Sequence, residues 1–131
     1  MDADAIREIF RDLGQVAIRR MFGGQGIYRD GVMFALEARG SLFLKTDQET
    51  IEGFRTSGSR PFMVTGRSGD PMPTSYWLMP DSALDDPEEA AILAALALGA
   101  ARRSRAKAAP KAKPPSRTRT AKTKSLSEKD P

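Results

Sequence analysis

The 131-residue sequence contains no cysteine and no histidine. Without cysteine there is no disulfide framework, no thiolate zinc site and no sulfur nucleophile. Without histidine the commonest general base and the commonest metal ligand are both missing, so a hydrolytic triad or a transition-metal centre would need unusual substitutes. Long apolar runs are lacking too: the longest uncharged one, Ala90 to Ala101, falls short of the ~18 residues that cross a bilayer. Met1-Asp2-Ala3-Asp4 does not have the basic and then apolar regions of a secretory leader. A cytoplasmic protein with no membrane partner is expected.

What is present is unevenly distributed. The net charge of +4 conceals a division: Met1 to Ala101 carries 10 Lys+Arg against 15 Asp+Glu, whereas Arg102 to Pro131 carries 11 against 2. The chain therefore divides into an acidic domain over residues 1–101 and a basic tail over residues 102–131. One compact domain plus an extension is also what this length allows.

Arg19 to Asp47 organises the domain. Its apolar runs are cut by Gly23-Gly24, Asp30-Gly31 and Arg39-Gly40, the punctuation of an antiparallel meander. Strands are predicted at about Val16–Phe22, Gly26–Arg29, Val32–Ala38 and Ser41–Thr46. Asp30-Gly31 is the strongest of the three turns, because a type I′ hairpin needs positive φ at both central residues. Gly23-Gly24-Gln25-Gly26 fits neither phosphate-loop spacing and precedes a strand, so these glycines read as turn geometry and no nucleotide cofactor is expected.

The run Arg20-Met21-Phe22-Gly23-Gly24, then Gly26-Ile27-Tyr28, Asp30-Gly31, Met33-Phe34-Ala35 and Leu42-Phe43-Leu44-Lys45 resembles the N-terminal domain of TfoX/Sxy-type proteins. The resemblance covers most of the first hundred residues. It implies a non-enzymatic role in transcription, as a regulator of natural competence acting with a partner of the cyclic-AMP receptor protein type. Full-length members of that family carry a second, C-terminal domain, whose place here is taken by the basic tail.

Around the meander the elements can be read in turn. Asp2 or Asp4 caps a first helix with Ile6, Ile9, Phe10 and Leu13 on one stripe, and Gly14 ends it. Thr46-Asp47-Gln48-Glu49 reads as a capping box opening a short helix with Ile51 and Phe54. Phe62–Thr65 and Ser75–Met79 follow as strands, separated by a two-proline loop over Gly66–Thr74. Of the neighbours Tyr76 and Trp77 one must face away from the helices; if it is Trp77, the outer face carries an apolar patch with Met79 and Met33. Asp86, Pro87 and Glu89 start the last helix, with Ile92, Leu93 and Leu96 as its stripe, and after Gly99 the composition changes to that of a disordered segment. The fold class is thus α+β: two layers, an antiparallel sheet with helices on one face, in the order α, three or four strands, α, two strands, α.

Candidate functional residues fall into two sets. The first is the motif itself, Arg19, Arg20, Met21, Phe22, Gly23, Gly24, Gly26 and Tyr28, with Lys45 and Trp77. Here Arg19, Arg20 and Lys45 form either an anion-binding patch or cations paired to acids such as Asp47 or Glu49. The second is the tail: Arg102, Arg103, Arg105, Lys107, Lys111, Lys113, Arg117, Arg119, Lys122 and Lys124. Its charges are spaced by Ala, Pro and Thr, with no aromatic residue, which suits disordered, non-specific contact with the DNA backbone and not base stacking. Glu37, Asp47, Glu49 and Glu52 show no pairing for acid–base chemistry and fit exposed positions. The expected protein is an adaptor without cofactor or metal, its domain on a protein partner and its tail on DNA. A sensor of a small anionic ligand is the alternative, and a homodimer is compatible with the apolar last helix.

Overall fold

The computed structural model describes residues 1–21 and 23–112; Phe22 and residues 113–131 lie outside the described residues, and for residues 109–112 only the helical backbone is described. Helix α1 (Ala3–Ile9) starts where the Asp2 side chain accepts from Ala5 N–H at 2.8 Å. A turn carries the chain past Gly14, at φ +119°, into four consecutive strands, β1 (Ala17–Met21), β2 (Gly24–Arg29), β3 (Val32–Ala38) and β4 (Ser41–Lys45). Asp30 and Gly31 have φ of +52° and +77°, and Arg39 and Gly40 of +53° and +85°, so both hairpins use the left-handed turn their sequences specify.

After α2 (Ile51–Thr56) come β5 (Pro61–Thr65) and β6 (Pro71–Leu78), a short helix α3 (Asp81–Leu84) and the long α4 (Pro87–Ala112). The six strands form one antiparallel sheet in the order β1-β2-β3-β4-β6-β5. One row of paired residues crosses it completely: Ile18, Ile27, Ala35, Leu44, Trp77 and Pro61. This row faces the helices, with Ile27, Ala35 and Leu44 wholly buried. Between Ile27 and Tyr28 the register slips by one, leaving Phe34 unpaired on β3. The bulge turns Phe34 as well as Ala35 into the core, where Phe34 meets Phe10, at the C-terminal cap of α1, edge to face at 5.4 Å.

Helix α4 lies on β3 and β4 through Ala90, Ala94, Ala97, Leu98 and Ala101, all buried. The expected stripe is therefore corrected: Leu93 is half-buried, but Ile92 is 60 % and Leu96 47 % exposed. The reason is space. Phe34, Leu42 and Leu44 already fill most of the interlayer volume from the sheet side, so the helix seats closely with mainly methyl-sized side chains beneath it and Leu98 as the one large exception.

Further differences from the sequence reading have local causes. Gly99 does not stop α4. It keeps helical φ, and a Cβ there would stand 3.3 Å from the Arg103 guanidinium, which lies back over it. Arg102, Arg103, Arg105 and Lys107, expected in an unstructured tail, lie on this helix. Arg103 Nε reaches Asp47 Oδ2 at 2.5 Å and Glu49 Oε2 at 3.0 Å, while its second amino group donates to Asp47 Oδ1 at 3.1 Å. Asp47 and Glu49 are thus engaged by Arg103, not by Arg19 or Arg20. The capping box at Thr46 is not formed either: Thr46 is buried and its hydroxyl donates to Ser75 O at 2.8 Å, and α2 starts four residues later with Thr50 as N-cap.

The two-proline loop is largely strand. Pro71 and Pro73 pair with Thr65 and Met63 of β5, but β4 reaches only Tyr76, Trp77 and Leu78. Gly66 N–H bonds Asp70 O at 2.8 Å, and counting from there the prolines fall where a backbone N–H would point away from β5, so neither removes a ladder bond. Glu37, expected on the surface, is 6 % exposed because it faces the helix layer opposite Leu42.

Two outcomes test this packing. A Cβ on Gly24 would sit 2.0 Å from the Glu37 carbonyl oxygen, whereas on the exposed helical Gly53 it would meet nothing within 4 Å. Gly24→Ala should destabilise by at least about 2 kcal/mol and Gly53→Ala should stabilise by about 0.5–1 kcal/mol, read by urea unfolding. The Arg103 guanidinium, aided by the Glu49 N–H and opposed by burial, holds the Asp47 carboxyl at about 2 against an ordinary 3.8. A carboxylate depressed on folding contributes stability above its unfolded pKa and loses it as pH falls. The Tm advantage of the wild type over Asp47→Asn should be full above pH 4 and shrink toward pH 2.

Candidate functional site

The helices cover one face of the sheet, and alternation sends every second side chain to the other. Outward positions, fixed by the register, include Arg19 and Met21 on β1, Gly26 and Tyr28 on β2, Met33 and Leu36 on β3, Phe43 and Lys45 on β4, and Tyr76 and Leu78 on β6. Phe62 of β5 joins them, its ring 5.0 Å from that of Phe43. Tyr28, Met33, Leu36, Phe43, Phe62, Tyr76 and Leu78 are half-buried by one another, with no layer above them among the described residues. No acidic residue stands at any of these outward positions.

Two cations lie flat on this surface. The Arg19 guanidinium sits 5.2 Å from the centre of the Tyr28 ring, and Lys45 Nζ 5.4 Å from that of Tyr76. Lys45 also donates to Ser75 Oγ at 2.6 Å. Burial pushes the Lys45 ammonium below the ordinary lysine value, with nearby Asp47 opposing, and burial raises the Tyr76 phenol. Gly26 matters to this surface because of what it lacks: a Cβ there would stand 2.7 Å from the Met21 sulfur, 3.1 Å from the Tyr28 ring and 3.3 Å from the Met33 sulfur. Its absence lets those three side chains close over the strand.

The motif residues do not form one cluster. Arg19 and Lys45 share the outer face but are separated by β2 and β3, roughly 14 Å at ordinary strand spacing. Arg20 points to the opposite face, with Gly23, Gly24 and Gln25, at an open cleft of about 740 Å³. Glu37 lies in that cleft, accepting from Gln25 Nε2 at 2.9 Å and Gly40 N–H at 2.8 Å, with the Met1 amino group at 3.7 Å. A buried carboxylate does not favour a small anion there. Trp77 faces inward with the Arg55 guanidinium 5.8 Å from its ring, so the residue facing outward is Tyr76 and the outer patch does not include Trp77 or the buried Met79. Phe22, Lys113, Arg117, Arg119, Lys122 and Lys124 lie outside the described residues, and of Lys111 only the helical backbone is described. Among the described residues there is no group of three or more carboxylates able to hold a metal, and no helix long and apolar enough to cross a membrane.

The family model of the TfoX N-terminal domain matches residues 8–101, from the first helix into α4. The chain belongs to the TfoX N-terminal domain family. No match is found among the curated proteins. The matched span holds the entire sheet and both cation–aromatic pairs, so the outer face is part of the TfoX N-terminal domain and not an addition to it. Membership supports a competence-related regulatory or accessory role, in a family not known for enzymes.

Of the residues on this face, the sequence reading named Arg19, Met21, Gly26, Tyr28 and Lys45 as candidates but not Phe43, Phe62 or Tyr76. Tyr76, Phe43 and Phe62 become legible once Leu42 and Leu44 are assigned inward, because β4 then presents Phe43 and Lys45 outward and its antiparallel neighbour must present Tyr76. The Lys45 environment is open to measurement. In wild-type protein with methylated lysines, the Lys45 resonance should titrate below the ordinary value of ~10.4, and Asp47→Asn should lower it further, as followed by NMR against pH.

Proposed function

We propose that this TfoX N-terminal domain protein is a non-enzymatic transcriptional accessory factor: the sheet face holds a protein partner and the basic C-terminal segment holds DNA nearby. The observation that carries the reading is a sheet face uncovered among the described residues, aromatic and aliphatic with Arg19 and Lys45 laid on its tyrosines and without an acidic residue at the outward positions. Such a face complements a partner surface that is apolar at its centre and acidic at its rim. A transcription factor of the cyclic-AMP receptor protein type is the partner class the family suggests. The chain supplies neither thiol nor imidazole for covalent or acid–base chemistry.

The basic segment adds attraction without sequence reading. Lys111, Lys113, Arg117, Arg119, Lys122 and Lys124 are separated by small or rigid residues, a pattern suited to displacing counterions from phosphates. Joining a weak protein contact to a weak DNA contact raises the effective concentration of each. The alternative, a sensor of a small anion, has less support, because Arg19, Arg20 and Lys45 do not converge on one pocket.

Duplex DNA should bind the full chain without sequence preference, with log K falling by about 0.9 per phosphate contact per unit of log salt. Replacing the six cations from Lys111 to Lys124 by Gln should abolish that binding, and DNA affinity unchanged by the replacement would remove the segment from the mechanism. Co-purification from the native cell should retain the protein partner after nuclease treatment and lose it in Lys45→Glu; loss on nuclease treatment alone would point to a nucleic-acid bridge.

A further inference from the structure

Helix α4 has a second face that the fold does not use. At 100° per residue, Ile92, Ala95 and Leu96 lie on the side opposite the buried Ala90, Ala94, Ala97 and Ala101. Ile92 and Leu96, 60 % and 47 % exposed, stand one turn apart beside the exposed Ala95. Next to them, between α4 and α2, runs an apolar groove of about 410 Å³ walled by Phe54, Pro80, Leu93 and Leu96. Large aliphatic side chains are uncommon at the outermost position of a helix already seated on a sheet.

Charge along the same face is segregated. Its N-terminal end carries Glu88 and Glu89, and its C-terminal end Arg102, Arg103 and Lys107, with no charge between Glu89 and Arg102; within the monomer Arg102 stands 3.7 Å from Asp30, and Arg103 serves Asp47 and Glu49. If a second α4 is laid antiparallel with the crossing point between Ala95 and Leu96, residue numbers facing each other add to 191. Glu88 then meets the partner copy's Arg103, Glu89 its Arg102, Ile92 its Gly99, and Leu96 its Ala95. A parallel arrangement would put acid on acid and base on base, and would align rather than oppose the helix dipoles. Acidic ends, a small residue beside each large one and basic ends therefore agree on a single register.

We propose that the protein forms a two-fold symmetric dimer in which the exposed faces of two α4 helices pack antiparallel, Leu96 of each copy filling the space over Ala95 of the other. The occupant of the face is a second copy of this chain, because the face is complementary to itself in both shape and charge. The intramolecular pair of Arg103 with Asp47 and Glu49 contributes directly: it fixes the helical end beyond Gly99, without which the basic half of the face would not be presented. The interface is separate from the sheet face, so each copy keeps its outer sheet surface open, and the dimer stands or falls independently of the function proposed above.

Sedimentation velocity of the full chain over low to high micromolar concentration should show the mass rising from 14.3 kDa toward twice that value. Leu96→Glu should stay monomeric throughout with unchanged circular dichroism, its site being solvent-facing in the monomer. Glu88→Lys should weaken association by roughly two- to fivefold, less at high salt. Since the sequence has no cysteine, any disulfide in a single-cysteine variant is intermolecular. Ala95→Cys, beside the two-fold axis, should cross-link under mild oxidation, and the control Glu52→Cys on α2 should not. A wild type that remains at the monomer mass, a dimer indifferent to Leu96→Glu, or a populated dimer in which Ala95→Cys fails to cross-link would each overturn the proposal.

Discussion

The close seat of α4 on the sheet is the constraint from which the rest follows. With alanine at 90, 94, 97 and 101, the helix axis approaches β3 and β4 more nearly than larger side chains would allow, and the large residues of the core are supplied by the strands. The core is accordingly asymmetric. Phe34, Ile27, Leu42 and Leu44 rise from the sheet, while Phe10 and Ile6 close it from α1 and Phe54 from α2. Because the buried face of α4 is mostly alanine, with Leu98 its one large side chain, Ile92 and Leu96 are left to point away from the domain. Because all the helices are spent on one side, the opposite face of the sheet has to be made tolerable to water by other means.

Those means are visible on the outer face. Half-buried aromatic and aliphatic side chains shield one another, and Arg19 and Lys45 lie across tyrosine rings, placing charge where solvent meets carbon. The two cations bring charge to the edge of this apolar surface without any acidic residue at its outward positions. The result is a face that is cationic and apolar on a domain whose matched span is acidic overall, and a partner would meet that contrast first.

Much of the fold was written in short-range chemistry. Asp30-Gly31 and Arg39-Gly40 admit the positive φ of tight hairpins, and the alternation of Leu42, Phe43, Leu44 and Lys45 is that of a half-covered strand, so the meander and its antiparallel sense could be read directly. Other features depended on distant partners. Thr46 through Glu49 has the composition of a capping box, yet Thr46 is taken by Ser75 and Asp47 by Arg103, which lie 29 and 56 residues away, and local propensity yields to those bonds. Gly99 carries the ordinary signal of a helix end, but Arg103 uses the vacant side of that glycine to reach Asp47. In α4 the apolar run of Ala90 to Leu98 is nearly uniform, and no periodicity within it says which side faces in; the volume already filled by the sheet decides. The separation of Arg19 from Arg20 was implicit in the pleat, but the distance from Arg19 to Lys45 required the strand order.

Pro71 and Pro73 have a consequence beyond their own strand. The first half of β6 projects past the end of β4, which leaves a notch in the sheet where an extended segment of another molecule could insert and continue the ladder. Two ring nitrogens stand where that intruder would look for amide hydrogens, so the notch cannot template runaway strand addition. At this notch, then, the half-covered sheet does not offer the backbone hydrogens that a further strand would need.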